Sequence, residues 1–123
     1  MLPKYSNIFP GVDFSEGLAP IKGINKQFGF INKKGKWVIL PKFKFVGGFH
    51  EGLAAVESSS SKWGFINKKG KITVVLLKKV KFVYRFGDGL AGFESINGKY
   101  GFINKKGKVV IPVKINKPFK IQY

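Results

Sequence analysis

The side chains able to do chemistry in this chain are few, and most of them recur. Glu16, Glu51 and Asp88 share one setting, Phe-x-[Asp/Glu]-Gly-Leu-Ala, at Phe14–Ala19, Phe49–Ala54 and Phe86–Ala91. Paired carboxylates working as acid and base must stand within roughly 5–9.5 Å of each other. No second acid recurs beside these three, so the role expected of them is a turn acceptor for backbone N–H groups or for a lysine. Glu57 and Glu94 are expected to pair with lysines across strands. A second recurring stretch, Gly-Phe-Ile-Asn-Lys-Lys-Gly-Lys at 29–36, 64–71 and 101–108, superficially resembles a phosphate loop. It carries five residues between its glycines, where a phosphate loop has four. Trp37, Ile72 or Val109 stands where Ser or Thr must hold magnesium. His50 is the only histidine and fills a slot that holds Ser15 and Gly87 in the other copies, which reads as a surface position. With no cysteine and one histidine, thiolate catalysis, disulfides and transition-metal sites lack their ligands. The expectation is a protein that is not an enzyme, with no catalytic residue, no metal and no cofactor.

The elements that position these residues form a repeat. The two motifs alternate three times, with fifteen residues from motif Phe to motif Gly in every copy. Such a period is read as tandem structural units before anything else. In each unit a short alternating strand (Leu18–Ile21, Leu53–Glu57, Leu90–Glu94) leads into a turn, which in the third copy, Ile96-Asn97-Gly98-Lys99, reads as a two-residue hairpin. A second strand follows, Lys62–Asn67 in the middle copy. Its Gly, after an aromatic, lets another backbone or ring come close. The Asn-Lys-Lys-Gly turn has Asn at the first position of a type I turn and Gly to supply positive φ. A third strand follows at Lys36–Leu40, Lys71–Leu77 and Lys108–Ile111, with a possible fourth at Phe43–Val46 and Lys81–Arg85. No stretch carries a helical apolar stripe with caps. The predicted fold is all-β. Three units of about 36 residues, near 14–48, 49–85 and 86–123, follow a partial unit at 1–13 in a single domain spanning 1–123. Together they make a twisted ribbon, a solenoid-like array or a partial propeller.

Charge argues about the arrangement. Equivalent turns stacked at the ~4.8 Å strand spacing would set Lys33, Lys34, Lys36, Lys68, Lys69, Lys71, Lys105, Lys106 and Lys108 in a ladder well inside the ~8 Å screening length. Three-stranded units side by side would separate them by about 14 Å. The strand Ile72–Leu77 lacks the proline found at 41 and 112. It is expected to be buried on both faces, or else to be an adhesive edge for self-association. Leu2-Pro3-Lys4-Tyr5 matches Leu40-Pro41-Lys42-Phe43, which suggests a start in mid-unit, and Lys114–Tyr123 is expected to cap the last unit.

The formal net charge is +17, and 22 of the 23 cations are lysine, with Arg85 the exception. An excess of this size points to an anionic partner. The abundance of Lys, Asn, Ile and Phe is also what an AT-rich genome produces. The nine turn lysines are the candidate polyanion-binding residues. The rings Phe28, Trp63 and Tyr100 with Phe30, Phe65 and Phe102 form either a spine shared between units or a stacking platform. Trp37, without an aromatic counterpart, is the candidate exposed ring. The segments 49–54 and 62–71, with their copies at 14–36 and 86–108, resemble the WG-repeat (KWG-type) family of bacterial β-repeat proteins. The resemblance implies a tandem β-repeat and no agreed chemistry. Only Trp63 keeps the Trp of the name, with Phe28 and Tyr100 in its place elsewhere. The expected function is a non-catalytic binding scaffold whose partner is a protein or an anionic polymer, with a homo-oligomer through open sheet edges as a further possibility. No leader-like stretch is seen, and the longest apolar run is too short to cross a bilayer. The expected setting is therefore the cytoplasm, without membrane insertion.

Overall fold

A computed structural model describes residues 13–76 and 80–115. The partial unit before residue 13, Leu77 and the expected cap beyond 115 lie outside the described residues. Eleven strands follow one another: β1 (Ala19–Lys22), β2 (Phe28–Ile31), β3 (Trp37–Phe43), β4 (Phe45–Val46), β5 (Ala54–Glu57), β6 (Trp63–Ile66), β7 (Ile72–Val75), β8 (Val80–Gly87), β9 (Leu90–Ser95), β10 (Tyr100–Asn104) and β11 (Val109–Ile115). They form three antiparallel meanders in the orders β1-β2-β3, β4-β5-β6-β7 and β8-β9-β10-β11. No helix occurs among the described residues. The strands after Pro41 and before the Phe49 and Phe86 motifs belong to the sheet that follows them. Val46 pairs with Val56, and Val83 with Phe93, so the chain passes between the first two sheets at Lys44.

Period-2 alternation gives each sheet two apolar faces, and successive sheets stack face to face. Ala54, Val56 and Ile66 of the second sheet join Leu18, Phe30 and Ile39 of the first in one core. Ala55, Trp63, Phe65 and Val74, on the opposite face of the second sheet, join Val83, Phe86, Ala91, Phe93 and Ile103 of the third in another. Phe30, Phe49, Phe65, Phe86 and Phe93 are fully buried. Units therefore do not lie side by side. They follow one another at the ~10 Å typical of packed sheets, blade against blade, and the three sheets do not close on one another. Face-to-face burial wins because it removes two apolar faces from water at once, which edge-to-edge pairing cannot do.

The recurring Gly after the aromatic is explained by strand three. A Cβ on Gly29 would lie 2.3 Å from the Ile39 carbonyl oxygen, and one on Gly64 would lie 2.5 Å from that of Val74. One on Gly101 would meet the Phe93 ring at 2.8 Å. β7 is not buried on both faces. It is the edge of its sheet, with Val74 inside and Ile72 and Val75 exposed at 55% and 56%. Only the side facing the third sheet has a neighbour, which Val74 meets.

Candidate functional site

The Asn-Lys-Lys-Gly turns are the same in all three copies. Asn32 N–H donates to the Lys36 carbonyl at 2.9 Å and Gly35 N–H to the Asn32 carbonyl at 2.9 Å. The Asn32 side-chain oxygen accepts from the Lys34 and Lys36 amides at 2.9 and 3.1 Å. Asn67 and Asn104 repeat this network. Gly35, Gly70 and Gly107 close it with φ of 77°, 82° and 80°, the type I turn and bulge that Asn and Gly predict. The other turn differs from expectation. Residues 95–99 form a three-residue loop, closed by Gly98 N–H on the Ser95 carbonyl at 3.0 Å. The Ser95 hydroxyl accepts from the Lys99 amide at 3.1 Å. This serine bridge draws Asn97-Gly98 away from a two-residue hairpin and into the frame also used at 58–62.

The acids sit where two consecutive residues have positive φ: Glu16 and Gly17 (55° and 83°), Glu51 and Gly52 (54° and 80°), Asp88 and Gly89 (50° and 79°). These are the central pairs of mirror-type hairpins, positions that Gly, Asn or Asp fill at least cost. Glutamate is a strained choice there, and its longer arm explains its use. The Glu16 carboxylate accepts from the Gly52 amide of the next unit at 2.9 Å, and Glu51 accepts from Gly89 at 2.9 Å. Lys68 pairs with Glu16 at 3.5 Å and Lys105 with Glu51 at 3.3 Å. Glu16 and Glu51 therefore each grip the following unit twice, once at its hairpin amide and once at the first lysine of its turn. The Gly89 amide holds the Glu51 carboxyl below its ordinary value of 4.5; desolvation opposes this and Lys105 adds to it. Glu57 and Glu94 pair with Lys44 and Lys81 at 4.0 and 3.7 Å.

Two of the nine candidate lysines, Lys68 and Lys105, are thus held between units. Lys33, their equivalent in the first unit, is exposed, as are Lys34, Lys36, Lys69, Lys71, Lys106 and Lys108. Trp37 is half-buried against Ala19, Ile21 and Ile31 and does not stand clear of the surface. Trp63 is buried, edge-on to Phe45 at 5.8 Å and to Phe82 at 5.3 Å. Phe28 meets Phe45 at 6.4 Å, so Phe28 and Trp63 join Phe45 and Phe82 in one run of ring contacts. Among the described residues no group of three or more His, Asp or Glu could hold a metal, and no helix is long and apolar enough to cross a membrane.

One feature escapes a motif-by-motif reading. A cavity of about 230 Å³ opens at the seam of the second and third sheets, where His50, Tyr84 and Arg85 meet Phe45 and Phe82 over the bare backbone of Gly47 and Gly48. The available signal was the mismatch between copies: Gly47-Gly48 precedes Phe49 where Tyr84-Arg85 precedes Phe86.

Comparison with curated proteins finds no match. The family of WG-containing repeats matches residues 28–59, 63–100 and 100–117, three consecutive copies over most of the chain. With the recurring Gly pressed against strand three and three matched copies, the chain belongs to the WG-repeat family.

Proposed function

We propose that the chain is a non-catalytic β-repeat scaffold whose turn lysines bind an anionic polymer, nucleic acid or an acidic glycan. The observation that supports this is how the acids are used. Glu16, Glu51, Glu57 and Glu94 are each paired with Lys68, Lys105, Lys44 or Lys81. Lys34, Lys36, Lys69, Lys71, Lys106 and Lys108 are exposed and have no ion-pair partner among the described residues. The three turns share one hydrogen-bond network, so each presents the lysines at its second and fourth positions alike. Lysine suits contact with a backbone of repeated charges and is poor at reading base edges, which favours affinity without sequence selectivity.

Binding of duplex DNA, single strands and heparin at low salt tests the proposal. Affinity should fall with a log–log slope near −0.9 per neutralised phosphate on duplex. Reversing Lys69 and Lys71 to Glu should reduce both affinity and slope. Absence of polyanion binding at low salt, or binding indifferent to salt, would overturn the reading.

The exposed, proline-free β7 supports a second reading, self-association through a sheet edge, because Ile72 and Val75 are 55% and 56% exposed. A molecular mass by light scattering that stays monomeric at all concentrations would eliminate it.

A further inference from the structure

We propose that the cavity between the second and third sheets binds a planar ring bearing an anionic group, of the kind a nucleotide presents. This site is separate from the lysine turns and does not depend on the polyanion reading.

The chain breaks its own pattern at this place. The only histidine and the only arginine of the sequence both line the cavity. They meet there because two irregular segments are stacked. In the third sheet Val83 pairs with Phe93 and Phe86 with Ala91, so β8 carries one residue more than β9. That bulge consists of Tyr84 and Arg85, and bulges re-aim side chains. Tyr84 turns inward and is 5% exposed, while Arg85 stays exposed at the mouth. The same two places in the second sheet hold Gly47 and Gly48, which bring no side chain and leave the floor open.

Neither glycine is required by the backbone. Neither has positive φ. A Cβ on Gly47 would make an ordinary contact with Ala55 at 3.9 Å, and one on Gly48 would approach His50 Nε2 at 3.7 Å. The fold would accept a Cβ at either place, so the backbone itself does not demand glycine there. The walls are rings set for a flat guest: Phe45 lies 5.8 Å from Phe82, and Phe82 lies 5.0 Å from Tyr84. Their faces and edges favour an aromatic occupant. At the mouth Arg85 offers the planar fork that matches phosphate or carboxylate, and no acid lines the cavity. At about 230 Å³ it falls below the usual size of a drug-like pocket and suits one ring with its linker, leaving the anionic group outside against Arg85.

Trp63 touches both Phe45 and Phe82 and so reports on the cavity. In a Trp37→Phe background its emission should change saturably with uridine 5′-monophosphate. Pyrophosphate, which has the charge but no ring, should leave it unchanged. Arg85→Gln, at an exposed position, should weaken UMP binding by about tenfold or more, the loss expected for a charge-assisted phosphate contact. Gly47→Leu, whose Cβ faces Ala55 on the cavity floor, should abolish it by filling the floor. Oligothymidylate separates the two sources of such a ring: tighter binding than UMP at Trp63 means that the ring arrives on a strand, and equal binding means a free molecule. No emission change at millimolar UMP, an equal response to pyrophosphate, or unchanged affinity in Arg85→Gln would overturn the proposal. Polymer binding undiminished in the lysine variants, with UMP binding intact, would strike the polyanion reading alone.

Discussion

Gly64→Ala is the sharpest test of the fold, because the structure places a single methyl group against backbone that cannot swing aside. The new Cβ would lie 2.5 Å from the Val74 carbonyl oxygen, about 1 Å inside an ordinary contact of roughly 3.5 Å. Either β6 or β7 must move by that amount. Moving β7 strains its pairing with β6, where Phe65 faces Val74 and Gly64 faces Val75. It also lifts Val74, 2% exposed, out of the core shared with the third sheet. Overpacking alone costs about 1–3 kcal/mol, and partly unburying one valine adds about 1 kcal/mol. A total near 3 kcal/mol corresponds to a fall in Tm of about 10 °C for a domain of this size. Thermal unfolding followed by circular dichroism, with urea midpoints as a second measure, reads the effect. Gly29→Ala, at 2.3 Å from Ile39 oxygen, should cost at least as much. Gly101→Ala should cost less, because the backbone oxygen it approaches, that of Ile111, stands at 3.0 Å and not at 2.5 Å or less. Gly87 has open space around its Cβ position and no positive φ, so Gly87→Ala should stay within about 1 kcal/mol of the parent. A Gly64→Ala protein melting within about 2 °C of the parent would refute the close-approach argument.

Other outcomes follow from the turns and the clamp. Ser61 and Lys26 hold left-handed φ of 64° and 65° where the third unit uses Gly98; Ser61→Gly and Lys26→Gly should each stabilise by roughly 0.5–1 kcal/mol, seen as a Tm rise of a few degrees. The Glu51 carboxyl titrates below its ordinary value of 4.5 in the folded protein, so its contribution is present above that ordinary value. That contribution is lost as pH falls through the lower folded value; Glu51→Gln should lower Tm most near neutral pH and converge on the parent in acid, which flattens the acid limb of a Tm-against-pH curve. Lys105→Ala should mimic part of that loss, and a double variant that sums the two single effects would show the pair to be uncoupled. Val75→Lys should suppress any self-association through β7, read by light scattering.

Strand identities, the Asn-Lys-Lys-Gly turns, the acceptor role of the acids and the packing role of the glycines were all legible in the sequence, because each is fixed by local chemistry repeated three times. The choice among ribbon, solenoid-like array and partial propeller was not. Strand spacing and charge favoured units side by side, but the decision lies with area, and the second sheet has two apolar faces to bury. The exposure of β7 was missed for a related reason: an apolar run such as Ile72–Val75 reads as interior until the sheet order shows it at the edge. Asn97-Gly98 misled because a strong two-residue turn signal competes with Ser95, whose hydroxyl binds the Lys99 amide at 3.1 Å.

The clamp also resolves the charge problem that argued against close stacking. Bringing sheets to ~10 Å sets lysine turns near one another, yet Lys68 and Lys105, the first lysine of each succeeding turn, are taken up by the preceding unit's acid at 3.5 and 3.3 Å. The second and fourth residues of the motif's Lys-Lys-Gly-Lys then point to solvent, where water and salt screen them. Repetition thus divides the lysines by position in the turn: one position joins units and the others remain available to a partner. The same logic gives weight to the seam at Tyr84 and Arg85. In a chain whose copies agree wherever packing demands it, a site can be unique only where they disagree. Here the disagreement combines the sole arginine, the sole histidine, a bulge and two glycines that the backbone does not need.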